Sequence, residues 1–99
     1  MQFLLVAQDH PGELSKRLAV RAEHMAGIKR GKQEGYIIDG GAILNDAGEM
    51  CGSAMILEFA DRAGLDTYIA SEIYQREGVW GALTIQEIRR IDWSVLLDA

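Results

Sequence analysis

The 99-residue chain contains one cysteine and one proline. A single cysteine, Cys51, cannot close an intrachain disulfide, and without a second thiol nearby it predicts no thiolate metal pair. No apolar run approaches the roughly 20 residues that a membrane-spanning helix needs. The start "MQFLLVAQD" has neither the basic residues nor the apolar length of a signal peptide. We therefore expect a cytoplasmic protein with no membrane partner.

An excess of basic charge is also absent. Fifteen acidic and ten basic residues give a net charge of -5, and a chain of that sign has no general attraction for phosphate backbones, so we expect no nucleic-acid partner. The two histidines, His10 and His24, lack the supporting ligands that zinc uses, so we expect no metal and no cofactor. The composition, 48% hydrophobic and 25% charged, is typical of a globular protein. The length suits a single domain over residues 1–99.

The chain alternates between two hydrophobic periods. An apolar strand covers residues 2–8, and helical spacing follows from about Glu13 to Glu34, with Gly35 as the residue that ends the helix. Two strands, "GYIIDGGAIL" and "SAMILEFA", precede a second helix in "DRAGLDTYIASEIYQREG" and a last strand in "ALTIQEIRRIDW". Gly40 and Gly41 indicate a bulge or a close backbone approach. The order βαββαβ predicts an α+β, ferredoxin-like fold in which a four-stranded antiparallel sheet carries both helices on one face.

Such a sheet leaves its other face uncovered. Large apolar side chains occur at adjacent positions of the central strands, where Leu4 follows Phe3 and Ile56 follows Met55. Because neighbouring strand residues point to opposite faces, both faces carry apolar groups. An uncovered apolar sheet of this size is typical of an association site. We therefore expect a homodimer in which two sheets pack face to face.

The first helix also places polar side chains beside its apolar positions. Apolar residues recur at Leu14, Leu18, Met25 and Ile28, and a shoulder of this stripe is occupied by Arg17, Arg21 and His24. Arginine stems can cover the edge of a core while their charged ends reach water. A buried imidazole needs a hydrogen-bond partner. Asp9, at the end of the first strand, is the candidate partner.

Two interpretations of this pair remain open. A carboxylate at Asp9 can fix the tautomer of His24 and make its other ring nitrogen a better proton acceptor, as in acid and base catalysis. The same hydrogen bond can instead tie the helix to the strand without any chemical role.

Several segments together resemble a known family. These are "AQD", "KRLAVRAEHM", the "EG" and "GG" that follow, "GSAMILEF" and "YQREGVW". The pattern is similar to that of the YciI-like (YCII-related) family of small dimeric α+β barrel proteins, from Phe3 to about Ile88. The resemblance implies a ferredoxin-like homodimer related in architecture to muconolactone isomerases, with roles in aromatic degradation. It also implies an active-site pair of Asp and His, matched here by Asp9 and His24.

One segment departs from the family pattern. Relatives commonly carry Asp-Pro-aromatic before the closing "GV", whereas this chain has Glu72, Ile73 and Tyr74. Only the aromatic residue is retained. Since this segment is expected to line the pocket, the departure bears on the identity of the ligand.

Two functions follow as hypotheses. The first is a cofactor-independent lyase or isomerase in which His24 moves a proton on a small cyclic or unsaturated acid and Asp9 orients His24. A guanidinium can bind a planar anion with two hydrogen bonds. The expected substrate-binding residues are Arg17, Arg21, Gly40, Gly41, Ser53 and Tyr74. The second function is a noncatalytic module that binds a small molecule and uses the His–Asp pair only for structure. Because fold does not determine function, the fold alone does not separate the two.

Overall fold

A computed structural model describes residues 1–98 of the chain. Ala99, the last residue of the predicted domain, lies outside the described residues. The elements follow one another as β1 (Gln2–Asp9), α1 (Leu14–Ala19), α2 (Arg21–Glu34), β2 (Ile37–Leu44), β3 (Met50–Glu58), α3 (Arg62–Ser71), α4 (Ile73–Arg76), β4 (Trp80–Ile88) and α5 (Trp93–Leu97). None of the helices within residues 1–98 is long and apolar enough to cross a membrane.

The strands form one antiparallel sheet in the order β2-β3-β1-β4. β1 lies in the interior of the sheet, where Leu5 pairs with Met55 of β3 on one side and with Ile85 of β4 on the other. The two βαβ halves are therefore interleaved, so that strands distant in sequence are neighbours in space. This confirms the predicted ferredoxin-like α+β fold.

Alternation along the strands gives the sheet a helix-covered face and an open face. The residues of β1 that point to the helices, Phe3, Leu5 and Ala7, are buried. They pack in a core that also includes Leu57, Leu65, Ile69, Tyr74, Val79 and Trp80. The intervening residues of the two central strands point the other way. We call these residues the open face: Leu4, Val6, Ala54 and Ile56, which are half-buried and are cross-strand neighbours.

Each predicted helix is interrupted once. The first divides at Val20, where φ is -103° and ψ is 6°, and α2 ends at Gly35 as predicted, with a left-handed φ of 91°. The second divides at Glu72, whose extended backbone separates α3 from α4. Gly31 lets α2 approach β2 closely, because a Cβ there would lie 2.5 Å from the side chain of Ile37. These breaks set the directions of the side chains described below.

The face of the first helical region that meets the sheet is not the predicted one. Leu18 and Met25, placed in the apolar stripe, are exposed, whereas Arg17 and His24 are buried. The shoulder of the stripe is thus the side that faces the sheet. An apolar pattern identified this face wrongly because two of the side chains that point inward are polar and find partners inside the protein.

Of the two features predicted for the glycine pair in β2, a bulge or a close backbone approach, the structure shows the close approach, at Gly40. The register between β2 and β3 shifts between Ile37 and Asp39 and again between Ile43 and Leu44, on either side of the glycines. The bulge is therefore not at the glycines themselves. Gly40 does mark a close approach, since a Cβ there would lie 2.8 Å from the carbonyl oxygen of Ala54.

Candidate functional site

A cavity of about 300 Å³ lies between α1, α2 and the β2–β3 half of the sheet. The sequence-predicted residues that line it are Arg17, Arg21, His24, Gly40, Gly41, Ser53 and Tyr74. Its apolar wall includes Met25, Ile28, Ile37, Met50 and Met55. We call the buried polar lining the floor, which comprises Arg17, His24, Ser53 and Tyr74, and the exposed basic lining the rim, which comprises Arg21 and Lys32.

The imidazole of the floor is bonded to a carboxylate. His24 Nδ1 meets Oε1 of Glu72 in a short contact within the buried interior. The second oxygen of Glu72, Oε2, accepts the backbone N–H of Tyr74 at 2.6 Å. Because a carboxylate only accepts hydrogen bonds, Nδ1 carries the hydrogen. The second nitrogen, Nε2, has no hydrogen-bond partner within residues 1–98.

The guanidinium of the floor has a different carboxylate. Arg17 is 2% exposed, and its Nη1 donates to both oxygens of Asp9 at 3.0 and 3.2 Å. Its Nη2 donates to the carbonyl oxygen of Gly52 at 2.8 Å and to Ser53 Oγ at 2.9 Å. Arg17 Nε is buried without a partner in the described part of the chain. Four hydrogen bonds thus hold the guanidinium in one position, with partners on β1 and β3.

The predicted hydrogen bond between Asp9 and His24 is therefore wrong. Glu72 takes that place, and Asp9 binds Arg17. Seven residues separate Arg17 from His24, a rise of about 10 Å along a helix. Because Asp9 at the end of β1 contacts Arg17, it is too far along the helix to reach His24. The signal for Glu72 was its place in the departure from the Asp-Pro-aromatic pattern, which put an acidic side chain beside Tyr74.

Tyr74 packs between the two buried basic groups. Its ring stacks on that of His24, with centroids 4.0 Å apart and planes 14° from parallel. The guanidinium carbon of Arg17 lies 4.5 Å from the centre of the same ring. Tyr74 is 1% exposed, so both contacts are shielded from water. The aromatic residue that this chain shares with its family pattern thus fixes the spacing of the two basic groups.

Ser53, the last residue of the floor, has a hydroxyl hydrogen that is free to be donated. Its Oγ accepts from Arg17 Nη2 and from Trp80 Nε1, the latter at 3.2 Å. A hydroxyl has one hydrogen of its own to donate. That hydrogen has no acceptor within residues 1–98, so it is available to a ligand. Trp80 was not identified from the sequence, because a tryptophan at the start of a strand carries no signal of such a role.

The rim is built differently from the floor. Arg21 is exposed and forms no hydrogen bond or ion pair within the described residues. Lys32 Nζ donates to the carbonyl oxygen of Ile38 at 2.7 Å and meets no carboxylate among residues 1–98. Lys32 was missed in the sequence, where it belongs to a basic cluster at the end of a helix. Both cations can therefore receive an anion without first losing a charged partner.

Burial changes the titration of two groups near the floor. Burial raises the pKa of Asp9 above 3.8, against the opposing effect of the Arg17 charge and its hydrogen bonds. Burial also raises the pKa of Tyr74 above 10.0. Tyr74 consequently stays protonated at neutral pH and donates its hydroxyl to the carbonyl oxygen of Arg17 at 3.4 Å. Within residues 1–98, no group of three or more His, Cys, Asp or Glu side chains is arranged to hold a metal ion.

The fold and the pocket on its helix-covered side define a protein of the dimeric α+β barrel superfamily, a class of folds shared with many solved structures. An antibiotic biosynthesis monooxygenase shares this fold with a TM-score of 0.54 at 17% identity, covering 91% of this chain and 97% of that chain. Within the class the chain is more closely defined. It belongs to the YCII-related family, because the model of the YCII-related domain matches residues 1–89.

Relatives span nearly the whole chain. An uncharacterized protein of Haemophilus influenzae is 30% identical over 98 residues, which cover 92% of this chain and 99% of that protein. Protein YciI of Escherichia coli is 27% identical over 97 residues, with the same coverage of both chains. Both matches agree with the family resemblance derived from the motifs.

A solved structure with a named activity is also similar. It is 5-chloro-2-hydroxyhydroquinone dehydrochlorinase (TftG) of Burkholderia phenoliruptrix in complex with 2,5-dihydroxybenzoquinone. The two chains share 26% identity and a TM-score of 0.81, over 90% of this chain and 94% of that one.

Proposed function

We propose that this protein is a cofactor-independent lyase or isomerase that acts on a small cyclic or unsaturated acid, with His24 as the proton-transferring group. The single observation that carries the proposal is the hydrogen bond between His24 and Glu72. It commits Nδ1 of the imidazole to donation, so that a neutral ring offers Nε2 as a proton acceptor in a cavity. A histidine held in this way by a carboxylate is the arrangement that general bases use.

The proposed chemical step is a proton transfer beside a carbonyl group. His24 Nε2 takes a proton from a carbon or hydroxyl of the substrate, and the electron pair moves onto the conjugated carbonyl oxygen. The resulting enolate collapses in one of two ways. In an isomerisation, the imidazolium returns the proton to a different carbon. In an elimination, the electron pair expels a leaving group as an anion, and the imidazolium later loses its proton to water.

The oxyanion of this intermediate needs donors, and the cavity offers three. Arg21 at the rim is free to form two hydrogen bonds to a planar anion. The Ser53 hydroxyl and Arg17 Nε are buried donors without an acceptor in the described chain. Donors fixed before the reaction stabilise developing charge most effectively, because they do not have to reorganise. The preorganised floor therefore suits the oxyanion, and Arg21 suits a permanent negative charge on the substrate.

We assign to Asp9 the role of a positioning residue. Its carboxylate holds Arg17 in place, and Arg17 in turn holds Ser53. Asp9 lies outside the lining of the cavity, so it acts through Arg17 instead of touching a ligand. Gly40 and Gly41 are part of the β2 wall of the cavity, where the absence of side chains leaves room for a ring.

The size and lining of the cavity favour a compact ring as ligand. A volume of about 300 Å³ is at the small end of the range for ligand pockets. The wall between the polar floor and the basic rim is apolar. TftG, the similar structure, holds 2,5-dihydroxybenzoquinone. We infer a hydroxylated or carboxylated six-membered ring for this protein and a place in the degradation of aromatic compounds.

We also propose that two copies associate through the open face into a homodimer. The four side chains of the open face are apolar and are not covered by any helix within residues 1–98. Their cross-strand pairs form a continuous apolar surface in the middle of the sheet. A surface of this kind is typical of an association site.

A noncatalytic binding module is the second candidate. The contact that favours it is again that of Glu72, which joins α2 to the start of α4 through His24 Nδ1 and the Tyr74 backbone. A bond between two helices stabilises the fold whether or not a proton moves. In that case the cavity binds its ligand without changing it.

One experiment separates the two functions. Calorimetric titration with 2,5-dihydroxybenzoquinone tests binding, and loss of deuterium from ring-deuterated hydroxyquinols tests proton transfer, with His24→Gln and the exposed His10→Gln compared with the unaltered chain. If the protein is an enzyme, the rate of deuterium loss falls about 10²-fold or more in His24→Gln and is unchanged in His10→Gln. Binding with no exchange in any variant identifies the module instead. Absence of both overturns the proposed ligand class.

A further inference from the structure

The segment that follows the last strand is exposed and strongly apolar. Between residues 91 and 97, five of seven side chains are large and hydrophobic, and each is more than half exposed: Ile91, Trp93, Val95, Leu96 and Leu97. Within α5, Trp93, Leu96 and Leu97 stand at positions i, i+3 and i+4, so they share one face of the helix. The segment lies beyond residue 89, where the match to the family domain ends.

This segment has a defined conformation that its own contacts do not explain. Asp92 Oδ1 accepts the Ser94 hydroxyl at 2.6 Å and the backbone N–H of Val95 at 3.3 Å, which caps α5. A helix of five residues is not stable alone in water, because nucleation costs more than so few hydrogen bonds return. A short capped helix with an apolar face is stable when that face packs against another surface.

The start of the segment is fixed on the same side of the sheet as the open face. The backbone N–H of Arg90 donates to Gln2 Oε1 at 2.9 Å. Gln2 precedes Leu4 by two residues in β1, and side chains two apart in a strand point to the same face. The chain therefore leaves β4 on the open-face side. The segment therefore begins beside the open face.

The exposed area of the protomer matches an uncovered interface in size. The protomer exposes 6338 Å², whereas a self-contained monomer of 10.9 kDa is expected to expose about 5,600 Å². The difference is close to the roughly 800 Å² that one partner buries in a stable interface. The radius of gyration, 14.3 Å, likewise exceeds the roughly 12.6 Å expected for this length.

We propose that residues 91–97 form an arm that packs on a second copy of this chain beside its open face, which the sheet of the first copy covers. By two-fold symmetry each protomer gives one arm and receives the other. The proposal rests on the dimer of the proposed function and adds to it the element that secures the two sheets. In this proposal, residues outside the family domain hold the partner.

The test compares three forms of the full chain by sedimentation across a range of protein concentrations. In one, Leu96→Ser and Leu97→Ser remove the apolar face but retain Trp93. In the control, Leu18→Ser and Leu44→Ser change two leucines that are exposed elsewhere in the fold. We expect the arm variant to raise the dissociation constant of the dimer by at least about tenfold, because two buried leucines contribute more than that factor. The control leaves it unchanged.

Quenching of Trp93 fluorescence by acrylamide identifies what covers the arm. The emission of Trp93, isolated as the difference from Trp93→Phe, is protected in the dimer and becomes accessible on dilution if the arm packs on a second copy. Protection that persists at concentrations where sedimentation shows a monomer means that the arm folds onto its own protomer, and overturns the proposal. Equal dimer affinity in all three forms also overturns it but leaves the dimer intact. A full chain that is monomeric throughout overturns both the arm and the dimer.

Discussion

The floor and the rim of the cavity both carry basic groups, but only those of the floor are paired. Arg17 is bound by Asp9, and His24 is bound by Glu72. Arg21 at the rim has no partner within residues 1–98. A buried cation without a carboxylate is costly, whereas an exposed one is hydrated by water. Their carboxylate partners hold Arg17 and His24 in one geometry, but these basic groups are then not free to bind an anion. Arg21 is free to bind one, but no partner fixes its position.

This difference predicts where each substitution acts. A change in the floor alters stability or the chemical step, because it releases a buried group from its partner. A change at the rim alters ligand binding and leaves the fold as it was.

Loss of the carboxylate of Asp9 should have the largest effect on stability. Asp9→Ala leaves the Arg17 guanidinium buried and without its charged partner, and breaking such a pair costs about 3–5 kcal/mol. The matched control is Asp66→Ala, which breaks the exposed pair between Arg62 and Asp66 at 2.9 Å. Exposed pairs contribute at most about 1 kcal/mol. Urea denaturation measures both, and equal losses would contradict the difference drawn between buried and exposed pairs.

Removal of the charge at Glu72 should have the largest effect on turnover. Glu72→Gln keeps the size of the side chain, but its amide can donate to Nδ1 and so reverse the roles of the two ring nitrogens of His24. We expect the proton-exchange rate to fall about 10²-fold or more. The control is Glu77→Gln, the same substitution at an exposed glutamate five residues further along the chain. Retention of the full rate in Glu72→Gln would mean that the tautomer of His24 has no bearing on the reaction.

Arg21→Ala should weaken ligand binding with little effect on the fold. A hydrogen bond to a charged group contributes about 1.5–3 kcal/mol, so we expect the dissociation constant of an anionic ring to rise about tenfold or more. The free energy of unfolding should change by less than about 0.5 kcal/mol, as is usual for exposed positions. Lys29→Ala provides an exposed basic control on the same helix. A loss of stability in Arg21→Ala without a loss of affinity would reverse the roles of rim and floor.

Alkaline pH should destabilise the protein through two tyrosines. Burial, followed by the charge of Glu72, raises the pKa of Tyr68 well above 10.0, and burial raises that of Tyr74. Above pH 10 the folded state therefore retains protons that the unfolded state releases, so the free energy of unfolding falls as pH rises. Absorbance titration of tyrosinate beside circular dichroism checks this. Ionisation of all three tyrosines near pH 10 in the folded protein would contradict it.

The fold could be predicted further than the site could. The spacing of the apolar residues was enough to predict the element order βαββαβ, because core-facing residues recur at different intervals in a strand and in a helix. The helix breaks at Val20 and Glu72 carry no proline, and no left-handed glycine marks them, so the pattern extended each helix through its break. The predicted face of the first helix was wrong for a related reason. Arg17 and His24 face the sheet, and polarity alone does not reveal that they find buried partners there.

The sequence did not show which carboxylate pairs with which basic group. Asp9 and Glu72 are both acidic and both near turns, and which one meets His24 depends on how far along the helix each element ends. That distance depends on how the elements pack in three dimensions, which the order of residues does not show. Seven of the sixteen residues that line the cavity were nevertheless predicted, and they include every residue of the floor.

Nuclear magnetic resonance of the two histidines tests the central claim most directly. Long-range correlation of ring nitrogens with ring hydrogens reports which nitrogen carries hydrogen. We predict that neutral His24 carries it on Nδ1 and leaves Nε2 bare, that Glu72→Gln changes this state, and that His10 is the same in both proteins. A neutral His24 with its hydrogen on Nε2, or an identical His24 spectrum with and without the Glu72 charge, would contradict the account.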